Sequence, residues 1–554
     1  MELLKHSKLS LRVFTNSPRI KKMARALGIS CRRILRQVMH MGRRFESSDA
    51  SQGNGNPCAD EAKILKGLII GVHDPVDNPN LEPPKFTKTG QEYNEKTAGR
   101  LEQILKRSGP IPALGQVRTF YGLDHDFNAV AVVGLGKECV GYDDVEEREE
   151  RKEAIRVAAA VGSRALQKMH YQRVFLESFG HAESAAEGAA LGVWVYQELK
   201  NPDRRITVPQ LELYKDCDFT GWHIGLEKAA AQNLARQFCD TPANLMTPTI
   251  FAQNAVEVLC KSGINVEVKV QGWAETQKMG AFLSVAKGSC EPPIFLEISY
   301  YGAAYDERPV VLVGKGVTFD SGGLCLKSPS KMLRMRGDVA GAACVVATAR
   351  AMAHLQLPIN IRGLIPLCEN MPGCLAIKPG DVVTAMNGKQ ILVENTDCEG
   401  RLMLADALYY SQNFWPRFVV DVGSMTNDAR RSMGSAATAV FTNSDALWEQ
   451  IRMAGVHTGD RLWRFPLWDY YNRQMTSSRS VDLKNVGAGP GGGACKTAAF
   501  LRHFVPCGEW MHLDNFGVMY SNGIDESYLR EGMSGRPTRT LVEFISQLAC
   551  SPCP

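Results

Sequence analysis

Two short stretches of the chain, residues 311–343 and 394–408, concentrate charged side chains at the ends of apolar runs. The charged set consists of Lys315, Asp320, Lys327, Asp338, Asp397, Glu399 and Arg401. The first four follow a buried-strand pattern in a loop rich in glycine, and the last three stand two residues apart before an apolar helical pattern. Because side chains alternate along an extended chain, the spacing of Asp397 and Glu399 directs both carboxylates to the same side.

These residue types favour a site for divalent metal ions. Any one of them alone is more often a surface charge, but carboxylates gathered at loop ends, without a matching cluster of histidine or cysteine, suit cations that bind through oxygen. The lysines and the arginine offset the negative charge, and such cations stabilise an oxyanion as it develops. Two metals about 3.5–4 Å apart need bridging carboxylates and can share a nucleophilic water whose pKa they lower.

Both stretches resemble the paired motifs of the leucyl aminopeptidase family, the cytosol aminopeptidases of peptidase family M17. The matching segments are GKGVTFDSGGLCLK at 314–327, Met335-x-x-Asp338, and NTDCEGRL at 395–402, where Cys398 stands in place of the usual alanine. The resemblance runs from about Lys66 to Ala549. It also includes VAKGSCEPP at 285–293, ENMPG at 369–373, KPGDVVTAMNGK at 378–389 and GRPTRTL at 535–541.

The resemblance implies a site for two divalent ions per subunit. In this family pattern Asp320 and Glu399 bridge the two ions, Lys315 and Asp338 complete one site, and Asp397 completes the other. Zinc, manganese or both are expected, with magnesium as a further candidate. A lysine ligates a metal only as the neutral amine, so we expect the pKa of Lys315 to be lowered.

The resemblance also implies the catalytic roles and the partners. Lys327 is expected to stay protonated and to stabilise the tetrahedral oxyanion, and Arg401 is expected to hold a bicarbonate-like anion that takes the proton of the attacking water. The free α-amine of the substrate would coordinate one metal, which confines cleavage to N-termini. Peptides with a free N-terminus are therefore the expected substrates. The expected assembly is a homohexamer with its active sites facing an interior cavity.

The pocket for the first side chain of the substrate departs from the family pattern. By resemblance its walls are Met335, Asn395, Ser424, Met425, Asn427, Phe516 and Met519. Asn427 stands where the family usually has glycine, and Phe516 stands where it has a small residue. Because an overfilled pocket costs on the order of 1–3 kcal/mol, we expect an altered preference for the first residue.

Two hypotheses from different classes follow. The first is an active, metal-dependent aminopeptidase of mitochondria, which the complete catalytic set favours. The second is a catalytically weak or inactive paralogue that serves as a structural, assembly-forming protein, similar to insect sperm leucyl aminopeptidases. The bulk of Asn427 and Phe516 favours this alternative.

The charge of the chain is concentrated at its front. Residues 1–45 hold twelve lysines and arginines against one acid, Glu2; removing these net eleven positive charges from the total of +5 leaves −6 for the rest. The body is therefore mildly acidic, and the overall positive charge does not imply binding to nucleic acid. The sequence contains no apolar run of about eighteen residues, so a membrane span is not implied either. The basic, acid-poor segment 1–45 is typical of a mitochondrial transit peptide. This favours the mitochondrial matrix, with the cytoplasm and an untargeted basic tail as alternatives.

The order of the sequence patterns predicts two α/β domains. After a flexible linker at 46–65, strands alternate with helical patterns in an N-terminal domain at 66–200. A catalytic domain at 201–549 repeats the alternation, which predicts a mostly parallel sheet covered by helices and carrying the di-metal site. Residues 550–554 form a tail. The sixteen cysteines are scattered singly and indicate reduced thiols.

Overall fold

The computed structural model describes residues 64–75, 84–524 and 527–550. The predicted targeting segment 1–45, most of the predicted linker 46–65 and the tail beyond 550 lie outside the described residues. Within the described ranges, no helix is long and apolar enough to cross a membrane. The cysteines in these ranges are free thiols, as their scattered positions predicted.

The first sheet is built from short strands, and its central strands are apolar and buried. The strands of this part are β1 (Lys66–His73), β2 (Lys85–Phe86), β3 (Val117–Tyr121), β4 (Ala129–Gly134), β5 (Tyr142–Asp143), β6 (Arg148–Glu149), β7 (Arg173–Leu176) and β8 (Gln210–Leu213). The sheet has the order β3-β4-β1-β7-β8, with β2 paired to β1. Strands β4, β1, β7 and β8 run parallel, and β5 and β6 form a separate pair.

Four helices connect and cover this first sheet. They are α1 (Lys88–Lys96), α2 (Arg100–Arg107), α3 (Glu150–Lys168) and α4 (Ala182–Val193). Helix α3 carries acids in its first turn and a lysine in its last turn, an arrangement that suits the helix dipole. The alternation of strands and helices predicted for residues 66–200 is confirmed, but the first sheet extends beyond residue 200, because β8 pairs with β7.

The second sheet has nine strands. The strands of this part are β9 (Asn265–Val270), β10 (Ile294–Tyr301), β11 (Val310–Gly314), β12 (Gly316–Asp320), β13 (Asn360–Asn370), β14 (Val382–Thr384), β15 (Gln390–Leu392), β16 (Phe418–Gly423), β17 (Thr438–Thr442), β18 (Leu462–Arg464), β19 (Leu483–Lys484), β20 (Glu509–Asp514), β21 (Tyr520–Ser521) and β22 (Gly532–Met533). The sheet order is β18-β17-β20-β16-β11-β13-β10-β9, with β12 beside β13. The central strands β20, β16, β11 and β13 are parallel. The prediction of a mostly parallel sheet is confirmed.

Helices cover both faces of this sheet. They are α5 (Phe219–Asp240), α6 (Pro248–Lys261), α7 (Gln271–Thr276), α8 (Gly280–Ala286), α9 (Pro329–Met332), α10 (Ala340–His354), α11 (Gly400–Tyr410), α12 (Asn427–Met433), α13 (Asp445–Thr458), α14 (Asp469–Met475), α15 (Gly493–Leu501) and α16 (Thr538–Cys550). One apolar core joins α5, α6, α10 and α16 to one face, and a second joins α8, α11 and α15 to the other. Burial on both faces explains why the central strands are continuous apolar runs.

Helix α10 lies unusually close to the sheet because its residues are small. A Cβ atom added to Gly341 would come within 2.1 Å of the carbonyl oxygen of Val422 in β16, so only glycine fits there. This close approach brings the start of α10 and the residues before it against the ends of β11 and β16.

A buried ion network joins the two α/β parts within the unit that spans Ile64–Pro554. Oε2 of Glu187 in α4 accepts hydrogen bonds from Nε of Arg156 in α3 at 2.6 Å and from Nη1 of Arg539 in α16 at 2.8 Å. The exposed fractions of the three side chains are only 1–2%. Since the two arginines share one carboxylate, Glu187 holds the positions of both.

We expect Glu187→Gln to lower the free energy of unfolding by about 3–5 kcal/mol, because it leaves the buried Arg539 without its counter-charge and Arg156 with Glu153 alone. Urea unfolding measures the change. The control is Lys261→Gln, which removes an exposed pair with Glu257 and should change stability by less than about 0.5 kcal/mol. Equal effects of the two substitutions would contradict a stabilising role for the network.

Candidate active site

Strands β11 and β12 bring the first motif to the carboxyl edge of the second sheet. Lys315 stands between them, where β12 leaves β11 to pair with β13. Its backbone N–H donates to the oxygen of Val422 at 2.9 Å, and its oxygen accepts from the N–H of Ala342 at 2.9 Å. The backbone of Lys315 is therefore held from the strand side and the helix side, while Asp320 ends β12.

Two uncharged side chains join the first motif to the second. Thr396 Oγ1 donates to the oxygen of Gly322 at 2.7 Å and accepts from the N–H of Cys325 at 2.9 Å. Asn370 Nδ2 donates to Asp320 Oδ1 at 2.8 Å and to the oxygen of Thr396 at 3.0 Å. Sequence reasoning did not assign a role to either residue. They fix the distance between the two groups of carboxylates.

Lys315 lies at the closed end of the site among buried acids. Its Nζ is 2.8 Å from Asp338 Oδ2, 2.9 Å from Glu399 Oε1 and 2.8 Å from the oxygen of Ser424. Asp338 lies in a 3-10 turn directly before α10 and accepts a short hydrogen bond from Ser424 Oγ. Glu399 is the N-cap residue directly before α11.

Lys327 lies nearer the opening and contacts the other two acids. Its Nζ is 2.6 Å from Asp320 Oδ2 and also contacts Asp397 Oδ1. Its surroundings raise the pKa of Lys327: burial alone would lower it, but the charges of Asp320, Glu399 and Asp397 outweigh burial. Among these acids alone, Lys327 is therefore protonated at neutral pH.

The carboxylates are arranged in a way that fits metal ions. Oxygens of Asp320, Asp397 and Glu399 lie within 4.8 Å of one another. Glu399 Oε2 is buried and has no hydrogen-bond partner, which is costly for a carboxylate unless a cation reaches it. The residues present thus fit a site for divalent cations with oxygen ligands.

Crowding of like charges shifts the acids toward their protonated forms. Burial and the nearby charge of Asp320 raise the pKa of Glu399 to about 8. Burial also raises the pKa of Asp338 and of Asp397. A divalent cation among these oxygens would favour the ionised forms instead.

The pKa of Lys315 is shifted in the direction opposite to the one we expected. Burial alone would lower it, but the charges of Asp338, Glu399 and Asp320 raise the pKa above its ordinary range. The expectation of a lowered pKa applied to a lysine beside bound cations. Among the three acids alone, Lys315 is most stable as the ammonium ion.

Arg401 is the second residue of α11, two positions after Glu399. Its guanidinium donates to the oxygen of Asn485, and its Nη2 donates to Thr497 Oγ1 at 2.6 Å. Both partners are neutral. They come from the glycine-rich segment 485–501, which forms the wall opposite the first motif.

A cavity of about 410 Å³ opens over all seven predicted metal and catalytic residues. Four of the predicted pocket residues also line it: Ser424, Met425, Asn427 and Phe516. The other three do not. Met335 and Met519 are buried in the core beneath the site, and Asn395 turns its Oδ1 to the N–H of Asp397 at 2.8 Å.

Other residues of the cavity wall were not predicted to have roles. They are Cys398, Thr426, Asp428, Val486, Gly489, Gly491, Gly493 and Lys496. Asp428 accepts from the N–H of Gly493 at 2.9 Å and so joins α12 to the start of α15. The unusual glycine content of 485–501 was the available signal for this wall, but it did not indicate which side chains face the cavity.

Comparison with known proteins identifies a family for both parts of the chain. The N-terminal domain model of the cytosol aminopeptidase family matches residues 69–203, and the catalytic domain model matches residues 233–542. The cytosol aminopeptidase of Sus scrofa is 47% identical over 493 residues, which cover 88% of this chain and 94% of that protein. The one of Rattus norvegicus is 48% identical over 488 residues, with 87% and 93% covered.

Solved structures agree with these matches. The bottromycin maturation enzyme BotP superposes with a TM-score of 0.75 and 29% identity, covering 88% of this chain and 100% of that chain. The same enzyme in complex with Mn gives a TM-score of 0.74 and 30% identity, with 87% and 99% covered.

We expect the stability of the metal-free protein to fall as pH rises from about 5 to 8. Between the ordinary carboxyl pKa of about 4.3 and about 8, native Glu399 binds a proton that the unfolded chain has released. Stability must then decrease with pH, by up to about 1.4 kcal/mol per pH unit for one group. Urea unfolding in a chelator measures this slope, and Glu399→Gln should remove that part of it. Parallel pH profiles of the two proteins would refute the assignment.

Proposed function

The chain belongs to the cytosol aminopeptidase family, and from that premise we propose that it releases N-terminal amino acids from peptides by a two-metal mechanism. It is a leucyl-type aminopeptidase, a hydrolase that acts on peptide bonds. The observation that carries the mechanism is the group of oxygens of Asp320, Asp397 and Glu399 within 4.8 Å of one another, beside a protonated lysine.

Five side chains would hold the two divalent ions. By the family pattern, Asp320 and Glu399 would be shared by both ions, Lys315 and Asp338 would complete one site, and Asp397 would complete the other. The bound ions would supply a water of lowered pKa as the nucleophile. Manganese and zinc are the proposed ions, with magnesium as a further candidate; the structure of BotP with Mn supports manganese.

Lys327 would stabilise the oxyanion. Its ammonium group faces the cavity and is held by Asp320 and Asp397, so it is in place before the substrate arrives. A donor fixed in this way gains most when negative charge develops on the carbonyl oxygen of the scissile bond. Lys327 would act as the ammonium ion and keep its proton on Nζ.

Arg401 would hold a bicarbonate-like anion that accepts the proton of the attacking water. The support is positional: the guanidinium lines the same cavity as the carboxylates and is hydrogen-bonded only to neutral groups. Such a cation keeps a small anion beside the reacting water without competing for its proton.

The pocket for the first residue is proposed to be smaller and more polar than one built for leucine. Asn427 and Phe516 both line the cavity. Asn427 is the first residue of α12, and Phe516 lies shortly after the end of β20. Bulk on this wall disfavours a branched side chain by overfilling. The same bulk favours the alternative function, a catalytically weak or inactive structural paralogue. The complete set of charged residues around a cavity of about 410 Å³ favours the peptidase.

We also propose a mitochondrial, hexameric protein. The basic composition of residues 1–45 supports targeting to the mitochondrial matrix, with the cytoplasm as the alternative. A homohexamer is proposed from the family alone, and peptides with a free N-terminus are the proposed partners. Import of a fusion of residues 1–45 to a reporter, and the mass of the purified assembly, test the two proposals.

We expect manganese-loaded protein to hydrolyse glycyl and alanyl amides faster than leucyl and phenylalanyl amides. The reason is the restricted pocket beside Phe516, and initial rates across the panel provide the measurement. Asp397→Ala should reduce every rate to background because it removes a ligand. Asp381→Ala, an exposed acid paired with Lys378, is the matched control and should keep full activity. Rates no higher than those of Asp397→Ala on all substrates would sink the peptidase proposal and leave the structural one.

We expect the double substitution Asn427→Gly and Phe516→Ala to restore the hydrolysis of leucyl substrates. Removing this bulk should raise the ratio of leucyl to alanyl kcat/KM by at least about tenfold, the discrimination that a few methylene groups give in an apolar pocket. Steady-state kinetics on both amides measure the ratio. Ala429→Gly, in the same helix but outside the cavity lining, serves as the control. An unchanged ratio would show that these two residues do not set the preference.

A further inference from the structure

The wall of the cavity formed by segment 485–501 contains a lysine that the proposed mechanism does not use. Lys496 lies in the first turn of α15 and lines the cavity together with Arg401. Their exposed fractions are 4% and 5%. Two buried cations on one side of one cavity are expensive unless negative charge compensates them.

The hydrogen bonds of the two cations supply no such compensation. Lys496 Nζ donates to the oxygen of Gly489 at 2.9 Å. Arg401 donates to the oxygen of Asn485 and to Thr497 Oγ1. All three acceptors are neutral. In the part of the chain that the structure describes, no carboxylate oxygen lies within 4 Å of either cation.

The acids nearest to Lys496 are bound elsewhere. Asp428 accepts from the N–H of Gly493 at 2.9 Å and lies 3.5 Å from Arg431. Glu394 pairs with Lys484 at 3.1 Å and accepts from the N–H of Gly487 at 3.1 Å. Burial and the charge of Arg401 therefore lower the pKa of Lys496 despite these acids. The positive charge on this wall faces the open cavity.

We infer that Lys496 and Arg401 form a two-cation subsite for a small carboxylate or carbonate anion in the active cavity. Arg401 supplies one buried cation, and Lys496 adds a second on the same wall of the cavity. The anion has two possible sources: free bicarbonate, or the carboxylate of an acidic first residue of the substrate. The role of the anion rests on the proposed peptidase function, but its binding does not.

The test compares the full-length, manganese-loaded protein with Lys496→Met, which is close in length and has no charge. Calorimetry with sodium bicarbonate at constant ionic strength should show at least tenfold weaker binding in the variant if the anion is free bicarbonate. If the anion belongs to the substrate, bicarbonate binding stays equal, and the glutamyl to glutaminyl ratio of kcat/KM falls at least tenfold. Either result supports the subsite, and Lys496→Arg should restore the affected quantity.

Two controls separate this inference from its alternatives. Lys484→Met removes a charge near the same wall, from a residue that does not line the cavity, and should change neither quantity. Without added anion, Lys496→Met should unfold at the same temperature as the parent or higher, because it removes an uncompensated buried charge. A lower unfolding temperature, or no effect on either quantity, overturns the inference. Bicarbonate binding that depends on Lys496 in a protein without peptidase activity would support the subsite while the proposed function fails.

Discussion

The site depends on the mutual neutralisation of buried charges. Lys315 and Lys327 stand among four carboxylates, and three of these acids, Asp320, Asp338 and Glu399, are almost fully shielded from water. Removing one sign of charge from such a group leaves the other uncompensated, a change that typically costs about 3–5 kcal/mol. The fold must therefore present both signs together, and it does so by ending β12, the 3-10 turn before α10 and the start of α11 at one place.

Residues without reactive groups determine how closely these charges approach. A Cβ atom added to Gly400 would lie 2.7 Å from Lys315 Cε, so the lysine reaches Glu399 only because the next residue has no side chain. Asn370 and Thr396 join the two motifs by hydrogen bonds. Close packing and hydrogen bonds from uncharged residues thus set the distances between the charged side chains. A change in these positions would alter the site without touching any ligand.

The sequence allowed the sheets and the charged group to be predicted because both depend on local signals. The apolar runs that became β11, β13 and β16 are buried on both faces, and the loop residues between Lys315 and Asp338 fall at strand ends. The orientation of individual walls was not predictable, since it depends on contacts across the fold. Lys496 faces the cavity because the glycine-rich segment 485–501 passes beside Arg401. The spacing of residues in the sequence does not reveal this contact. Met335 and Met519 lie in the core rather than on the cavity wall for the same reason.

The raised pKa values of Lys315 and Glu399 show that protons and metal ions compete for one set of atoms. Without metal, the lysine carries its proton among the acids and Glu399 holds its proton up to about pH 8. Ligation by these two residues, as proposed above, would require the neutral amine and the ionised carboxylate, so metal binding would release protons. Metal affinity then rises with pH over the range in which stability of the metal-free site falls. The same crowding that opposes ionisation of the buried acids would therefore favour a divalent cation among their oxygens.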